Sequence, residues 1–415
     1  MLKILKNLVF HKNFRANPGS SKINLLIELD TFDKGGLQKV VLDSALRFNP
    51  DLITVTIVSV NAAGYLAEEA EKCGIKVYAL PFLNKKQYYR KIIEERGINL
   101  SNSHFSHFGY SILKEYNIPN ITFIHNVYAF LSGKPLERFK LDDCNVDLYI
   151  SVSNNAKRYA VERLGINAAK IITIRNGLIL EEHISREKNT FQRSRSEFGL
   201  SDSDYVFLNP ASYNLHKGHY VMIDAMKKIL NVRSDIKILC IGNIIYEPHF
   251  HELKDYLQCS GLNEHIIMPG YYPDIESIYP IVDAFLMPSF IEGWSIAMNE
   301  AMFYKKPLIM TDTGGAADVI ENNDIGILVE NEYGDIVNLY SDYLDDMAYN
   351  QREFGISEQL SEAMIDFASN REHWKKAGEK GRKKILDHYS LDNIICQYQN
   401  VFMKLMGRNT GAINK

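Results

Sequence analysis

The chain has 415 residues, of which 46% are hydrophobic and 24% charged, so it has enough apolar material for two or three packed domains. No apolar run reaches the roughly 18 residues that cross a bilayer. Lys3, Lys6 and Lys12 interrupt the opening stretch, which argues against a cleavable secretory signal. Five scattered cysteines without a C-x-x-C pair are typical of reduced thiols rather than a disulfide framework or zinc site, and they predict a cytoplasmic protein.

The net charge of −4 is unevenly distributed along the chain. Residues 1–185 contain 24 Lys and Arg against 18 Asp and Glu, whereas the remainder contains 23 against 33. A basic first half suits a domain that faces an anionic surface, although ordinary variation between two domains accounts for the same numbers.

Residues 1–22 form a basic lead with an apolar face. Leu2, Leu5, Leu8 and Val9 would share one side of a helix, with lysines around it. Two interpretations fit this segment. It is either a helix that lies on the inner membrane surface or an extension that ends at the Asn-Pro-Gly-Ser breaker at 17–20.

From residue 23 onwards, short runs rich in β-branched residues alternate with helix-length segments. This rhythm is typical of parallel strands that are covered on both faces, with helices as the crossovers. The predicted strands of the first half are Ile23–Leu29, Ile53–Val60, Lys76–Leu80, Ile121–His125, Leu148–Val152 and Ile171–Ile174.

The same rhythm restarts after a polar stretch. The predicted strands of the second half are Tyr205–Asn209, Lys237–Ile241, His265–Met268, Ala284–Pro288, Pro307–Thr311 and Ile327–Val329. We therefore expect an N-terminal Rossmann-like domain at 23–185, a linker at 186–204, a C-terminal Rossmann-like domain at 205–380 and a helical tail at 381–415 that packs back on the N-terminal domain. Open parallel sheets bind ligands at the carboxyl ends of their strands, which predicts a site in a cleft between the domains.

Three segments that follow predicted strands carry candidate binding groups. Gly35 and Gly36 lack a Cβ and would let backbone N–H groups approach a phosphate or sugar, although turn chemistry alone also explains such a pair. His125 ends a strand, where an imidazole is more often structural than catalytic. Lys217 follows the first strand of the second domain and is either a phosphate ligand or an ordinary surface lysine.

The segment from Pro288 to Ala301 predicts a strand end, a glycine turn and a helix that opens near Ser295. Glu292 and Glu300 are eight residues apart, which would be ~12 Å along a continuous helix. That span lets one carboxylate meet a sugar and the other a ribose, and the helix N-terminus favours an anion between them. Two glutamates alone are equally typical of dipole compensation and a solvated helix face.

With seven residues between the two glutamates, this segment resembles the E-x7-E signature of retaining family-four glycosyltransferases. The resemblance extends from about residue 23 to residue 390, because the other segments fall in the family's order. It implies the GT-B fold, in which two Rossmann-like α/β domains with parallel sheets face an interdomain cleft. It also implies a nucleoside-diphosphate sugar as donor, bound mainly by the second half, with no cofactor and no required metal. The Asp pairs at 142–143 and 345–346 follow no donor-site strand and are interpreted as solvated charge.

The resemblance assigns a role to each candidate residue. Glu300 would hold the ribose hydroxyls, Glu292 the sugar hydroxyls and Lys217 the diphosphate. His125 would orient the sugar and stabilise developing positive charge through nearby carbonyl groups, and the mechanism of the family argues against a role as proton carrier. Besides this catalytic set of Glu292, His125 and Lys217, the expected donor contacts are Gly35, Gly36, Asn176, Ser212, Tyr271, Gly293, Trp294, Ser295, Ile296 and Glu300.

The chain departs from the family pattern at one phosphate-binding position. The family has an arginine five residues before the lysine, where this chain has Ser212. His216, His219 or an arginine from elsewhere would have to compensate. Smaller departures are Leu178-Ile179 after Asn176-Gly177, and Asp318 in place of a glutamate.

We expect the acceptor to be a bacterial surface glycan or a lipid-linked glycan, without nucleic acid as a partner and with peripheral contact to the inner membrane face. An epimerase of the same architecture would lack the Glu-Gly-x6-Glu element, and a phosphorylase would need a cofactor-binding lysine signature that the chain does not show. A catalytically silent nucleotide-sugar-binding or scaffold protein stays open because of Ser212.

Overall fold

The computed structural model describes residues 22–189 and 193–407, and these divide into two compact units. The first unit contains residues 22–128, 133–176 and 391–407, and the second contains residues 129–132 and 177–390. Apart from Lys22, the predicted basic lead lies outside the described residues, as does part of the predicted linker. The expected domain limits remain predictions.

The first unit is built on a seven-stranded sheet. Its strands pair in parallel throughout, in the order β3-β2-β1-β4-β5-β6-β7. The strands are β1 (Ile23–Phe32), β2 (Ile53–Ala63), β3 (Lys76–Ala79), β4 (Leu100–His104), β5 (Asn120–Ile124), β6 (Leu148–Ser151) and β7 (Ile171–Thr173). The helices are α1 (Gly36–Arg47), α2 (Tyr65–Lys72), α3 (Lys85–Arg96), α4 (Tyr110–Glu115), α5 (Gly133–Asp142), α6 (Asn154–Glu162) and α15 (Leu391–Leu405).

Strand β4 is the one strand of this sheet that the sequence did not predict. Its residues Leu-Ser-Asn-Ser-His are mostly polar, yet all five are buried between β1 and β5. The Ser103 hydroxyl is accommodated by hydrogen bonds inside the core, since it lies 3.1 Å from that of Tyr110 and 3.2 Å from that of Thr122. Periodicity of apolar residues could not find a strand of this kind.

Residues 391–407 belong to the first unit through helix α15, which packs on α1. The ring centroids of Phe48 and Phe402 are 5.7 Å apart. At the edge of this contact, the Asn49 backbone N–H donates to Gln399 Oε1 at 2.7 Å. Helix α15 is thus fixed to the unit that contains β1 and α1.

The second unit is built on a six-stranded sheet, also parallel throughout, in the order β10-β9-β8-β11-β12-β13. Its strands are β8 (Tyr205–Pro210), β9 (Ile236–Ile241), β10 (Ile266–Gly270), β11 (Ala284–Met287), β12 (Leu308–Thr311) and β13 (Gly326–Val329). Its helices are α7 (Leu180–Asn189), α8 (His219–Ile229), α9 (Glu247–Cys259), α10 (Ile296–Phe303), α11 (Ala316–Val319), α12 (Ser341–Tyr349), α13 (Ile356–Ser369) and α14 (Arg371–His388). All six predicted strands are present, with end points that differ by one or two residues.

The two units therefore confirm the predicted fold class of two Rossmann-like α/β sheets. In each sheet the strand order reverses once, between β1 and β4 in the first unit and between β8 and β11 in the second. Loops leaving two such strands diverge to opposite faces of the sheet and leave a crevice at their carboxyl ends, where ligands bind in folds of this kind. Lys217 follows β8 and Glu292 follows β11, so both flank the reversal of the second sheet.

Candidate active site

The loop that carries Lys217 lies against the end of β11. After β8 the chain makes a short 3-10 turn at Leu215–Lys217 and reaches Gly218, whose φ is 72°. A Cβ on Gly218 would lie 1.9 Å from the backbone oxygen of Pro288, so glycine is needed both for the left-handed conformation and for the close approach. The Phe290 N–H donates to the His216 carbonyl at 2.9 Å. The two loops at the reversal point are thus joined to each other.

The backbone around Glu292 is held by polar side chains from the neighbouring strands. The Ser289 carbonyl accepts hydrogen bonds from Thr311 Oγ1 at 2.6 Å and from Asn331 Nδ2 at 3.0 Å. The Glu292 N–H donates to Thr313 Oγ1 at 3.2 Å. Because these groups are buried, the loop is fixed before any ligand arrives.

Lys217 and Glu292 form an ion pair. Lys217 Nζ lies 2.6 Å from Glu292 Oε1, and the Ser289 hydroxyl donates to the same oxygen at 2.9 Å. The side chains are 26% and 10% exposed, so the pair is largely withdrawn from water. Both of these hydrogen bonds are accepted by Oε1 of Glu292. The ammonium of Lys217 has three protons to donate.

Helix α10 begins beside this pair. Ser295 is its N-cap, with Oγ accepting from the Met298 N–H at 3.3 Å, and the first helical residue is Ile296. The interval between Glu292 and Glu300 is therefore part loop and part helix, so the span expected for a continuous helix does not apply to it. The first N–H groups of α10 and the positive end of its dipole favour an anion near Lys217.

Trp294 contributes to this site through its backbone, because its side chain is enclosed. The indole is 5% exposed, and its Nε1–H donates to Asn299 Oδ1 at 3.0 Å. The ring packs at 5.0 Å from that of Tyr389, and a Cβ on Gly315 would lie 2.4 Å from it. The packing of this indole thereby fixes the backbone segment from Gly293 to Ile296.

Glu300 lies further along α10 and is half-buried. The Tyr279 hydroxyl lies 3.4 Å from Glu300 Oε2. Burial, and then the neighbouring carboxylate of Glu276, raise the pKa of Glu300 to about 7. Arg186, which is paired with Glu276, partly opposes this shift. Glu300 therefore titrates near neutrality in the free protein.

The position of the missing arginine has no cation of its own. Ser212 lies in the loop after β8, half-buried. His219 cannot serve as the replacement, because it is 3% exposed and stacks at 5.4 Å on Tyr213 inside the core. His216 is closer to the site: burial lowers its pKa, and Asp345, Lys217 and Glu292 all act on it electrostatically. Of the two histidines considered, His216 is the one on which Glu292 also acts.

The predicted residues divide between the two units. The second unit contains Lys217, Glu292, Gly293, Trp294, Ser295, Ile296, Glu300, Ser212 and Tyr271, of which Tyr271 follows β10 and is 60% exposed. The first unit contains Gly35 and Gly36 at the start of α1, His125 after β5, and Asn176, which is 7% exposed.

Sequence reasoning missed a partner of His125. His104 Nδ1 lies 2.6 Å from His125 Nε2. His104 ends β4, the polar strand that periodicity did not detect, and His125 follows the adjacent strand β5. A histidine 21 positions before His125 was the only available signal, and it acquires meaning only when β4 is recognised as a strand.

Within residues 22–189 and 193–407, no three His, Cys, Asp or Glu side chains converge as a metal-binding group would require. In the same part of the chain, no helix combines the length and the apolar character that crossing a membrane demands.

Comparison with solved structures shows the fold. A glycosyltransferase from Rickettsia africae superimposes with a TM-score of 0.75 at 20% identity, covering 94% of this chain and all of that chain. Anabaena HepE, solved in complex with UDP, superimposes with a TM-score of 0.74 at 16% identity, covering 92% of this chain and all of that chain. Two Rossmann-like units, each with a parallel sheet, and this likeness to solved structures define the GT-B fold of glycosyltransferases.

The two halves match two family models. Residues 34–182 match Glycosyltransferase Family 4, and residues 190–353 match Glycosyl transferases group 1. The chain is therefore a glycosyltransferase that combines a Family 4 domain with a group 1 domain.

Curated relatives agree with this assignment. N-acetyl-alpha-D-glucosaminyl L-malate synthase of Bacillus anthracis is 21% identical over 304 residues, which are 68% of this chain and 72% of that protein. The capsular polysaccharide biosynthesis glycosyltransferase CapM of Staphylococcus aureus is 24% identical over 262 residues, 63% and 60% of the two chains. An Escherichia coli UDP-Gal:alpha-D-GlcNAc-diphosphoundecaprenol alpha-1,3-galactosyltransferase is 25% identical over 205 residues, 48% and 52% of the two chains.

Proposed function

We propose that this glycosyltransferase transfers a sugar, with retention of configuration, from a nucleoside-diphosphate donor to a hydroxyl of a glycan or lipid-linked glycan. The observation that carries the proposal is the Lys217–Glu292 ion pair at the start of α10, beside the reversal point of the second sheet. It joins a cation, a carboxylate and the N-terminal end of a helix at the position where parallel sheets bind nucleotides.

The donor fits these groups in a definite order. The diphosphate would contact the Lys217 ammonium and the N–H groups that open α10, because both carry positive charge. Lys217 can donate to phosphate without releasing Glu292, since one of its three protons suffices for the carboxylate. Glu292 would then accept from sugar hydroxyls, and Glu300 from the ribose. Tyr271 is assigned to the nucleobase.

The chemistry requires departure of the nucleoside diphosphate from the anomeric carbon. Negative charge grows on the leaving oxygen as that bond breaks, and Lys217 with the α10 N-terminus would stabilise it. The acceptor hydroxyl forms the new bond, and its proton goes to the departing diphosphate. Glu292 is held by Lys217 and Ser289, which suits binding better than nucleophilic attack. Transfer in this scheme needs neither cofactor nor metal.

The family resemblance is the basis for assigning donor contacts to four residues of the first unit, Gly35, Gly36, His125 and Asn176. It is also the basis for placing Ser212 beside the donor. The acceptor class draws on two relatives, whose names specify capsular polysaccharide and a diphosphoundecaprenol-linked sugar. We extend this to surface polysaccharide synthesis at the inner membrane face, by a cytoplasmic enzyme in peripheral contact with the membrane.

A thermal-shift screen of UDP, GDP, ADP and dTDP sugars tests donor binding, since a ligand that binds the folded state raises its midpoint. UDP sugars come first because a solved relative contains UDP. Glu300→Ala should abolish most of the shift, whereas Glu330→Ala, an exposed glutamate of the same unit, should leave it unchanged. An equal shift in wild type and Glu300→Ala would remove the ribose assignment.

A catalytically silent nucleotide-sugar-binding protein is the second candidate, favoured by Ser212 in place of an arginine. Release of free nucleotide with and without lipid-linked and glycan acceptors separates the two. Transfer to any acceptor excludes the silent protein, and donor binding without turnover across the whole panel supports it.

A further inference from the structure

His104 and His125 form a buried imidazole pair within the first unit. The facing atoms, Nδ1 of His104 and Nε2 of His125, are 2.6 Å apart, and the ring centroids are 4.9 Å apart. His104 is 5% exposed, whereas His125 is half-buried. The outer ring of the pair therefore reaches solvent, and the inner ring contacts it from the core.

The aromatic surroundings hold this geometry. The His104 ring stacks on Phe123 at 4.5 Å, and Phe105 stacks on His125 at 5.9 Å. Phe105 has a φ of 56°, a left-handed conformation that is unfavourable for a bulky aromatic residue and is typical of functional sites. Tyr128 packs at 5.2 Å on the other side of Phe105. His125 is enclosed by rings that leave it little rotational freedom.

Both imidazoles are neutral at physiological pH. Burial lowers the pKa of His125 to about 3, and burial together with His125 lowers the pKa of His104 well below its usual range. A neutral imidazole has one N–H and one lone pair. The 2.6 Å contact can therefore contain only one proton, and its position fixes the tautomers of both rings.

The core behind His104 indicates which ring donates. Asn102 lies two residues before His104 on β4, so both side chains point to the same face of the sheet. Together with His125, they line one small cavity of about 20 Å³, which has room for a single water molecule. Asn102 Oδ1 is buried and has no hydrogen-bond partner among the described residues. An acceptor in this position favours a His104 that donates from Nε2, directly or through water, and accepts at Nδ1.

We propose that His104 is a positioning residue that accepts the Nε2 proton of His125 and thereby keeps His125 Nδ1 as an unprotonated acceptor. If the proposed function holds, His125 recognises a donor or acceptor hydroxyl by accepting its hydrogen bond. His104 then determines the polarity of that contact without touching the ligand.

Nitrogen-15 NMR of the full chain labelled at histidine tests the proposal directly. A His125→Gln variant identifies the His125 signals. We expect His125 to be the Nε2–H tautomer in the wild type. His104→Asn should retain this tautomer, because the Asn Oδ1 replaces the Nδ1 acceptor. His104→Leu should lose it. His107→Gln is the matched control, since His107 pairs with Asp142 and should leave the His125 tautomer unchanged.

Two results of this NMR experiment would contradict the proposal. An Nδ1–H tautomer in the wild type overturns the proposal, as does an unchanged His125 in folded His104→Leu. The wild-type spectrum alone locates the proton, so a variant that fails to fold does not remove the test.

Transfer kinetics provide the second measurement. His104→Leu should lower kcat by about ten- to a hundred-fold, by analogy with the outer partners of metal-ligating histidines, with His104→Asn restoring most of it. Wild-type protein that binds no nucleotide sugar would refute the proposed function and leave the tautomer result standing. A fully active His104→Leu would refute the positioning role alone.

Discussion

The ammonium of Lys217 and the carboxylate of Glu292 lie 2.6 Å apart although 75 residues separate them in sequence. Each occupies the loop after one of the two strands that flank the reversal of the second sheet. The fold, not local sequence, creates the pair, and each residue neutralises the other while the donor is absent. In the proposed function, donor binding would add phosphate and hydroxyls to an arrangement that already exists.

Removing one member of this pair should cost stability. Lys217→Met leaves Glu292 with only the Ser289 hydroxyl in a poorly hydrated position, and we expect a loss of about 1–3 kcal/mol in the free energy of unfolding. Glu292→Gln should behave similarly, whereas the double variant should regain much of the loss. Urea unfolding of the four proteins measures the coupling. Single variants as stable as wild type would show that the pair is not energetically coupled.

The exposed pair Lys228–Glu358, with side chains 38% and 64% accessible, is the matched control. Its coupling should stay below about 1 kcal/mol because solvent screens it. In transfer assays the double Lys217→Met, Glu292→Gln variant should stay inactive despite its recovered stability. Loss of the charge that stabilises the leaving diphosphate should lower kcat by roughly 100- to 1000-fold.

The titration of Glu300 predicts a pH dependence of donor affinity. Its pKa of about 7 means that part of the population is protonated at neutral pH and cannot accept two ribose hydrogen bonds. Affinity should therefore rise with pH, at most about ten-fold per unit below pH 7, and level off above it. Calorimetric titration between pH 5.5 and 8.5 measures this, and Glu300→Gln should flatten the profile. A wild-type affinity that falls across this range would contradict the assignment.

The raised pKa of Glu300 affects the folding stability in the opposite direction, because stability should fall as pH rises. Between the ordinary value of 4.5 and about 7, the folded state binds the Glu300 proton more tightly than the unfolded state does. The stabilisation is complete below the ordinary value and is lost as pH rises through 7. Glu300→Gln should remove this decline, which chemical denaturation at several pH values detects without any ligand.

Gly218 should be indispensable for the Lys217 loop. Gly218→Ala would place a Cβ 1.9 Å from the Pro288 oxygen, whereas Gly199 has nearly the same φ, 68°, with open space around its Cβ position. Gly199→Ala should cost about 1–2 kcal/mol for the left-handed backbone alone. Gly218→Ala should cost clearly more and also abolish donor binding. Equal unfolding midpoints for the two variants would argue against the close approach.

Gly109 should be equally constrained in the first unit. It donates its N–H to the fully buried Glu28 at 2.9 Å, and an added Cβ would lie 2.1 Å from the Tyr89 hydroxyl, which donates to the same carboxylate. Gly109→Ala should destabilise by about 1–3 kcal/mol through overpacking. Gly355→Ala, whose Cβ meets Glu332 only at 3.7 Å, should stay within about 1 kcal/mol of wild type in the same unfolding assay.

Most of the fold could be predicted because its parallel strands are apolar on both faces. Strand β8, Tyr-Val-Phe-Leu-Asn-Pro, is buried over five consecutive residues, and such runs stand out in a sequence. Strand β4 could not be found in this way, because most of its buried residues are polar, with Ser103 held by hydrogen bonds within the core. The missed strand is also the one that carries His104.

Individual candidate residues could be selected from the sequence, but their contacts with one another could not. Motif spacing selected Lys217 and Glu292 separately, whereas their contact depends on the left-handed Gly218 and on the packing of two distant loops. The enclosure of His219 likewise depends on tertiary packing against Tyr213, so the sequence alone could not distinguish it from His216.

The enclosed indole of Trp294 gives the protein an optical reporter of its own. The chain has only two tryptophans, and the other, Trp374, lies on α14, stacked at 4.0 Å on Phe367. Trp294 is two residues from Glu292 and belongs to the same backbone segment. A displacement of the Glu292 carboxylate should therefore alter the surroundings of the Trp294 indole. With Trp374 replaced by phenylalanine, binding of the proposed donor sugar at Glu292 should become readable from intrinsic emission, without dye or label.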